Sequence, residues 1–468
     1  MVFGVAVALL SPFTRDPVAF AVGALTPWLM MKIIARPNMP VGVVYLLLWQ
    51  WAQIFARVVQ TLPDGEALGA GFGGPSVERA YWYMLASIVT EALMLRLVLG
   101  RLPPPSPAVR NWHARWQVRD LVMVYIGSLV VSVGVSASGL LNGGLAQVAS
   151  ALVYIKALSI FLLFTNVLAT GKGGKVLVAV VLFETVTGFS GILADFKSVY
   201  IFLGVAAIAS RIRWTFTMGL GAVVATAALL TLGIFWTGVK MDFRTLATGS
   251  DESQTITASL GDRLGYLGMR AITPSSVDWN EAGYSFLIRF AYVEIFGNVI
   301  AVQDASRAPA PLQQWSDALS HVLQPRFLFP DKAALSDSDV YLRLAKADPS
   351  ESVREGTSIS VGYMAENYAD LGFPGMLLGI AVIGLLSGAS YRYFMTRNTL
   401  PWMVREGTVL VLVYATAQGG AEASLPKILG ALILVTGVYV VMAKFAYPRV
   451  IALLDRPPPG QKRAPRRR

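Results

Sequence analysis

The chain has 468 residues, 55% of them apolar and only 14% charged, where a soluble protein of that length carries charge on about a quarter of its positions. Much of its formal charge of +11 sits in short segments between apolar blocks and in Lys462, Arg463, Arg466, Arg467 and Arg468, a placement that points to anionic lipid and away from nucleic acid. With no cysteine and only His113 and His321, thiol catalysis, disulfides and cysteine-ligated metals are excluded, and a histidine-rich metal centre is disfavoured.

The apolar blocks run to roughly 18 to 25 residues, enough for a helix to cross a hydrocarbon core of about 30 Å. The alternating pattern of a membrane barrel is absent, so helices are the expected solution. A first candidate span at 1–12 is short, and no charged region precedes Val2–Leu10 as it would in a cleaved signal peptide. Spans are then expected at 17–34, 41–61, 80–100, 119–138, 145–168, 174–194, 197–210 and 214–238, and after a long interval at 369–390, 407–422 and 426–446. The fold class is therefore all-α and polytopic, with eleven or twelve transmembrane helices and one large loop.

Basic residues orient these spans. Lys32 with Arg36, then Arg101, Arg110, Arg115 and Arg119, then Lys172 with Lys175, then Arg211 with Arg213, then Arg392, Arg397 and Arg405 mark alternate loops as cytoplasmic, and the basic C-terminal run falls in the same series. The expected organisation is a transmembrane bundle over 1–238, a large periplasmic loop over 239–368, further transmembrane helices over 369–447 and a basic cytoplasmic tail over 448–468. Within the bilayer, Lys156 and Glu184 lie near the midpoints of consecutive spans and are expected to pair, as are Arg57 and Glu91. In the loop, Ser285–Ile300 is apolar apart from Arg289, Glu294 and Asn298, which suits a helix lying on or dipping into the outer interface.

The loop also gathers arginines, among them Arg263, Arg270, Arg289 and Arg326. Arginine grips phosphate with a planar, permanently charged fork. Arg270, Arg289 and Arg326 stand among apolar neighbours, where a charge is costly without a partner or a task. Glu366 and Asp370 lie four residues apart at the outer mouth of a span, so that a helix would turn both to one face. A carboxylate there suits general-base work on a hydroxyl, and an ion pair with a loop arginine suits it equally. Asp195 and Lys197 occupy a tight turn on the same side. Asp337-Ser-Asp339 has the spacing that holds a divalent cation in some sugar transferases, but a solvated pair of this kind is weak evidence, and no metal or other cofactor is expected.

Four blocks, Asp262-Arg-Leu-Gly-Tyr-Leu-Gly-Met-Arg270, Tyr284-Ser-Phe-Leu, Pro325-Arg-Phe-Leu-Phe-Pro-Asp-Lys332 and Glu366-Asn-Tyr-Ala-Asp-Leu-Gly-Phe-Pro-Gly-Met-Leu-Leu-Gly379, resemble the Wzy-type bacterial polysaccharide repeat-unit polymerases. The resemblance covers about residues 190–390, and Ala333 stands where the family pattern would place proline. It implies a membrane-embedded, GT-C-like glycosyltransferase of the bacterial inner membrane. Its partners would be membrane lipid and an undecaprenyl-pyrophosphate-linked oligosaccharide, with a chain-length regulator protein left open. It further implies Glu366 as base, Arg270, Arg289 and Arg326 on pyrophosphate, and Lys197, Arg263, Lys332 and Asp370 as substrate-binding residues. A ligase that moves finished polysaccharide shares all of these features, and a transporter of lipid-linked sugars is a more distant alternative.

Overall fold

The computed structural model describes residues 2–63, 65–70, 74–140, 145–189, 196–212, 215–249, 257–305, 311–324, 328–329, 332, 336–345, 359–417 and 420–455. The described elements are helical throughout. In chain order they begin with α1 (Val2–Ala8), α2 (Pro17–Ile34), α3 (Val41–Gln60), α4 (Pro75–Leu99), α5 (Pro107–Arg110), α6 (Val118–Ala137), α7 (Ala146–Val153), α8 (Ile155–Thr170), α9 (Gly174–Phe189) and α10 (Lys197–Ala209). There follow α11 (Phe216–Thr248), α12 (Leu260–Ile272), α13 (Trp279–Phe290), α14 (Val293–Ala305), α15 (Gln313–Leu323) and α16 (Asp337–Ala345). The chain closes with α17 (Tyr363–Met395), α18 (Trp402–Ala417), α19 (Leu425–Gly430) and α20 (Thr436–Leu454).

Among the described residues eight helices are long and apolar enough to cross a membrane, or nine if the bent pair α13–α14 counts as one span. The chain is thus a polytopic helical membrane protein. Three of the expected spans fall outside that set: α9 and α18 have 16 described residues each and α10 has 13, and α18 starts at Trp402, five residues before the expected 407. The expected span at 214–238 instead continues to Thr248. Its last turns remain helical because Val239, Phe243 and Ala247, spaced four apart, are buried against other helices. The interval between spans therefore runs from Gly249 to Gly362.

Helix starts follow from local chemistry. Ser259 accepts the Asp262 N–H and returns its hydroxyl to the Asp262 carboxylate at 2.6 Å, closing the first turn of α12. Asp278 accepts the N–H groups of Asn280 and Glu281 and so caps α13.

Two apolar cores form. The main one joins α2, α3, α4, α8, α10, α14, α17, α18 and α20, with α17 lying along α4 as its most extensive interface. A second gathers Phe189, Phe196, Val239, Phe243, Ala247, Leu267, Val277 and Ala282 under α11, α12 and α13. The segment 285–300, expected as one interfacial helix, is divided between α13 and α14, which meet at a 54° bend. Val293, Phe296, Val299 and Ile300 of α14 are buried against α4 and α17. The apolar face of this segment serves the protein interior because α4 offers a close-packing surface.

Of the two expected buried ion pairs one forms. Lys156 meets Glu184 at 2.6 Å, with the Tyr125 hydroxyl donating to the other carboxylate oxygen at 2.6 Å. Arg57 does not pair with Glu91. Its guanidinium binds Glu294 of α14 at 2.5 Å, Gln60, and the carbonyls of Leu68 and Ala70. Arg57 sits near the end of α3 where the following loop and α14 converge, and a fork of five donors suits such a convergence better than one carboxylate would.

Candidate functional site

Between α18 and α19 the chain turns back through residues 420–424, and this turn is packed inside the protein. Gly420 adopts φ +57°, and a Cβ there would lie 1.9 Å from the Gln53 side-chain oxygen. The same Gln53 oxygen accepts the Ala421 N–H at 2.8 Å. Facing it, Gly362 has φ +82°, and its Cβ would meet the Ala421 carbonyl at 2.2 Å. Only glycine serves at either position. The close approach lets the Tyr363 N–H reach the Ala423 carbonyl at 2.8 Å, fixing the first turn of α17 on the buried turn.

From there α17 extends a stripe of polar side chains at positions 363, 366, 367 and 370, one helical face. The Tyr363 hydroxyl points into the bundle and donates to Gln50 at 2.7 Å. Glu366, buried, accepts the Leu425 N–H at 2.5 Å, occupying a vacant donor at the start of α19. Asn367 accepts from the Trp315 indole at 2.9 Å. Asp370 accepts the N–H groups of Gln314 and Trp315 at 2.9 and 3.0 Å and so caps α15. Beyond this stripe α17 is broken at Gly372 and Phe373, whose backbone angles are not helical. The Phe373 ring stacks on Tyr83 of α4, centroids 4.1 Å apart.

Around Glu366 lies a mixed cluster of charges. Asp337, at the start of α16, pairs with Lys427 of α19. Lys197 and Lys427 both lie within electrostatic reach of Glu422 in the buried turn. The Tyr292 ring, between α13 and α14, is reached by Glu422, Asp337 and Glu366. Burial pushes the Glu422 carboxyl up to about 7, against the pull of the two lysines. Lys197 Nζ stands 5.9 Å from the centre of the Trp49 ring, a cation–π distance. Two polar atoms here are buried without a hydrogen-bond partner among the described residues, the Trp49 indole nitrogen and the Ser424 hydroxyl. The cluster thus offers carboxylates able to take a proton, cations able to face an anion, and polar atoms with unused hydrogen-bonding capacity.

The residues singled out from the sequence divide into three groups. Glu366, Asp370 and Lys197 are brought to this junction. Lys332 is engaged elsewhere, donating to the Gln324 carbonyl at 2.8 Å and to the His321 carbonyl at the C-terminal end of α15. Arg270 belongs to the second core: it binds Asp242 at 2.8 Å, the Tyr266 hydroxyl at 3.1 Å and the Ser276 carbonyl at 3.0 Å. Arg263 donates to the Ser259 carbonyl of its own helix at 3.4 Å. Arg289 lies in α13 with its side chain outside the described residues, and Arg326 and Asp195 lie outside them altogether. Asp339 starts α16 beside Asp337, and among the described residues no group of three or more acidic or histidine side chains could hold a metal ion.

Sequence reasoning missed Glu422, Lys427 and Tyr292. The run Gly419-Gly-Ala-Glu422-Ala-Ser-Leu-Pro-Lys427 does carry a signal, since glycine, serine and proline interrupt an apolar block at the point where a charge of each sign appears. No family model matches the chain, and no curated protein or solved structure matches it either.

Proposed function

We propose that this chain is a membrane glycosyltransferase that polymerises lipid-linked oligosaccharide repeat units on the periplasmic face of a bacterial inner membrane. The observation that carries the reading is the junction of α17, the buried turn and α19, where the buried Glu366 faces Asp337, Asp370 and Lys427, and Lys427 with Lys197 faces Glu422 of the turn. In the proposed reaction a sugar hydroxyl of the incoming unit attacks the anomeric carbon of the growing chain. Glu366 takes the hydroxyl proton. The bond to undecaprenyl pyrophosphate breaks, and its electron pair leaves with the pyrophosphate. Cations facing that leaving group stabilise its charge. Lys197 fills this role from the cluster itself. Arg270, Arg289 and Arg326 are the proposed arginines, with Arg263, Lys332 and Asp370 as further substrate contacts. For Arg270 the role requires an exchange of Asp242 for phosphate.

The test is the length of surface polysaccharide resolved on a gel, in a strain lacking the chain and complemented with wild type, Glu366→Gln or Arg270→Ala. Immunoblots of the membrane fraction establish that each variant is present. Loss of a positioned general base costs about 10²- to 10⁴-fold in rate, so Glu366→Gln should leave single repeat units on their final carrier. Long chains stranded on the lipid carrier would assign the chain to ligation. Long chains of normal length on the final carrier in the Glu366→Gln strain would remove the proposal.

A further inference from the structure

Below the junction, inside the bundle, α3, α4, α17, α18 and α19 border a small cavity whose wall mixes polar groups with Leu46, Ile383 and Ile428. Glu91 of α4, Gln50 of α3, Tyr363, Ser387 and Tyr391 of α17, Thr416 of α18 and Gly420 of the buried turn face it. All seven are buried. Glu91 takes part in none of the ion pairs among the described residues. Its contacts are Gln50, whose amide donates to Oε2 at 3.3 Å, and the Tyr363 hydroxyl at 3.2 Å. The Tyr363 hydroxyl is also within donating distance of the Gln50 oxygen, at 2.7 Å, so its one proton is shared between two acceptors. A carboxylate in the interior of a membrane protein is costly unless something balances its charge.

The other groups around the cavity present oxygen. The Thr416 hydroxyl donates its proton back to the Leu412 and Val413 carbonyls, at 3.1 and 3.0 Å, which leaves its lone pairs for the cavity. The Gln50 side-chain oxygen has a second lone pair beyond the one that meets Tyr363. Tyr391 is fully buried, and its hydroxyl oxygen faces the hydroxyls of Thr416 and Ser387 across the cavity. Gly420 brings non-helical backbone to the cavity wall, and interrupted helices of this kind supply carbonyl ligands to cations inside membrane proteins.

We propose that this cavity binds one small monovalent cation of the sodium class, held by the Glu91 carboxylate and the oxygens of Gln50, Tyr363, Ser387, Tyr391 and Thr416. Hard cations take oxygen ligands, and divalent sites draw on more negative charge than the single carboxylate here. The bound ion neutralises Glu91 and draws the Tyr391, Ser387 and Thr416 oxygens onto one centre. Because Tyr363 is both a ligand and the first residue of α17, the ion also fixes the helical turn that carries Glu366. The site stands independently of the proposed glycosyl transfer.

The experiment is thermal unfolding of the purified full-length protein in detergent, titrated with sodium chloride and with N-methylglucamine chloride at matched ionic strength and fixed pH. Sodium should raise the unfolding midpoint saturably in the wild type, and N-methylglucamine should not. In Glu91→Gln and in Tyr391→Phe the apparent sodium affinity should fall at least tenfold. If Glu91→Gln does not fold, Tyr391→Phe and Thr416→Val each remove one ligand oxygen without changing charge. Equal responses to the two salts would overturn the proposal, as would unchanged sodium affinity in both hydroxyl variants. A midpoint that follows pH but ignores sodium would give the charge-balancing role to a proton, which overturns it as well.

Discussion

Glu422 shows how a single carboxyl can tie the candidate site to pH. Burial raises it from an ordinary 4.5 to about 7, while Lys197 and Lys427 oppose the shift. A carboxyl raised in the folded protein holds its proton more tightly there than in the unfolded chain, so stability falls as pH rises through that interval. The stabilising contribution is complete below about pH 4.5 and is lost as pH passes about 7. The thermal midpoint of the wild type should therefore decline between these values, and Glu422→Gln, which cannot titrate, should flatten that part of the profile. A slope unchanged in the variant would place the titration elsewhere.

Other residues show the limits of reading single positions from sequence. Glu366 and Asp370 are legible as carboxylates sharing a helical face, because the period of a helix is enough to establish that. What each carboxylate meets depends on chain far away in sequence. Asp370 finds N–H groups more than fifty residues earlier, and Glu366 finds one almost sixty residues later. Arg57 and Glu91 were expected to pair because their spans are adjacent, yet Arg57 is drawn to Glu294 across 237 residues. Adjacent spans do predict Lys156 and Glu184, whose side chains sit at matching depth on antiparallel helices.

At the scale of elements, α15 has both of its ends held by residues outside it. Asp370 accepts the first N–H groups, and Lys332 donates to carbonyls at the other end. Each satisfies backbone groups that a helix leaves open, and each sign matches the end of the helix dipole that it faces. A short helix on a membrane-protein surface is marginal without such support. Asp370→Ala should therefore loosen α15 by about 0.5–2 kcal/mol, the usual cost of losing a capping carboxylate. Hydrogen exchange read by mass spectrometry should speed up in Gln313–Leu323 and remain unchanged in α8. Unaltered exchange in α15 would mean that Trp315 and its indole bond to Asn367 suffice to hold it. Sequence alone places Asp370 at the mouth of a span and leaves its partner open, since capping a distant helix leaves no local pattern.

At the scale of the whole molecule, hydrophobic block length makes most of the helices legible and misplaces several of their ends. The expected boundary at 238 falls ten residues before α11 finishes. The extra turns are charged enough, with Lys240, Asp242 and Arg244, to look like loop. They stay helical because their other face carries Val239, Phe243 and Ala247 into the second core. That core draws on α11, α12, α13 and the residues flanking the α9–α10 turn, and its buried members are distinct from those of the main core.

Two separate apolar cores imply two levels of resistance to unfolding. Phe243 is 0% exposed and packs between Trp236 and Tyr266. Removing a buried phenylalanine side chain costs about 3–5 kcal/mol when the surroundings cannot collapse around the space. The expected result for Phe243→Ala is selective: faster exchange across α12 and α13, and unchanged protection in α4, α8 and the membrane limb of α17. Arg270 should lose its place as well, because Tyr266 and Asp242, which hold its guanidinium, stand on the two helices that Phe243 joins. Uniform loss of protection across both cores would show that they unfold as one cooperative body. A selective loss would show that the arginine-bearing segment moves on its own energy scale, with the freedom Arg270 needs to exchange Asp242 for a phosphate during turnover.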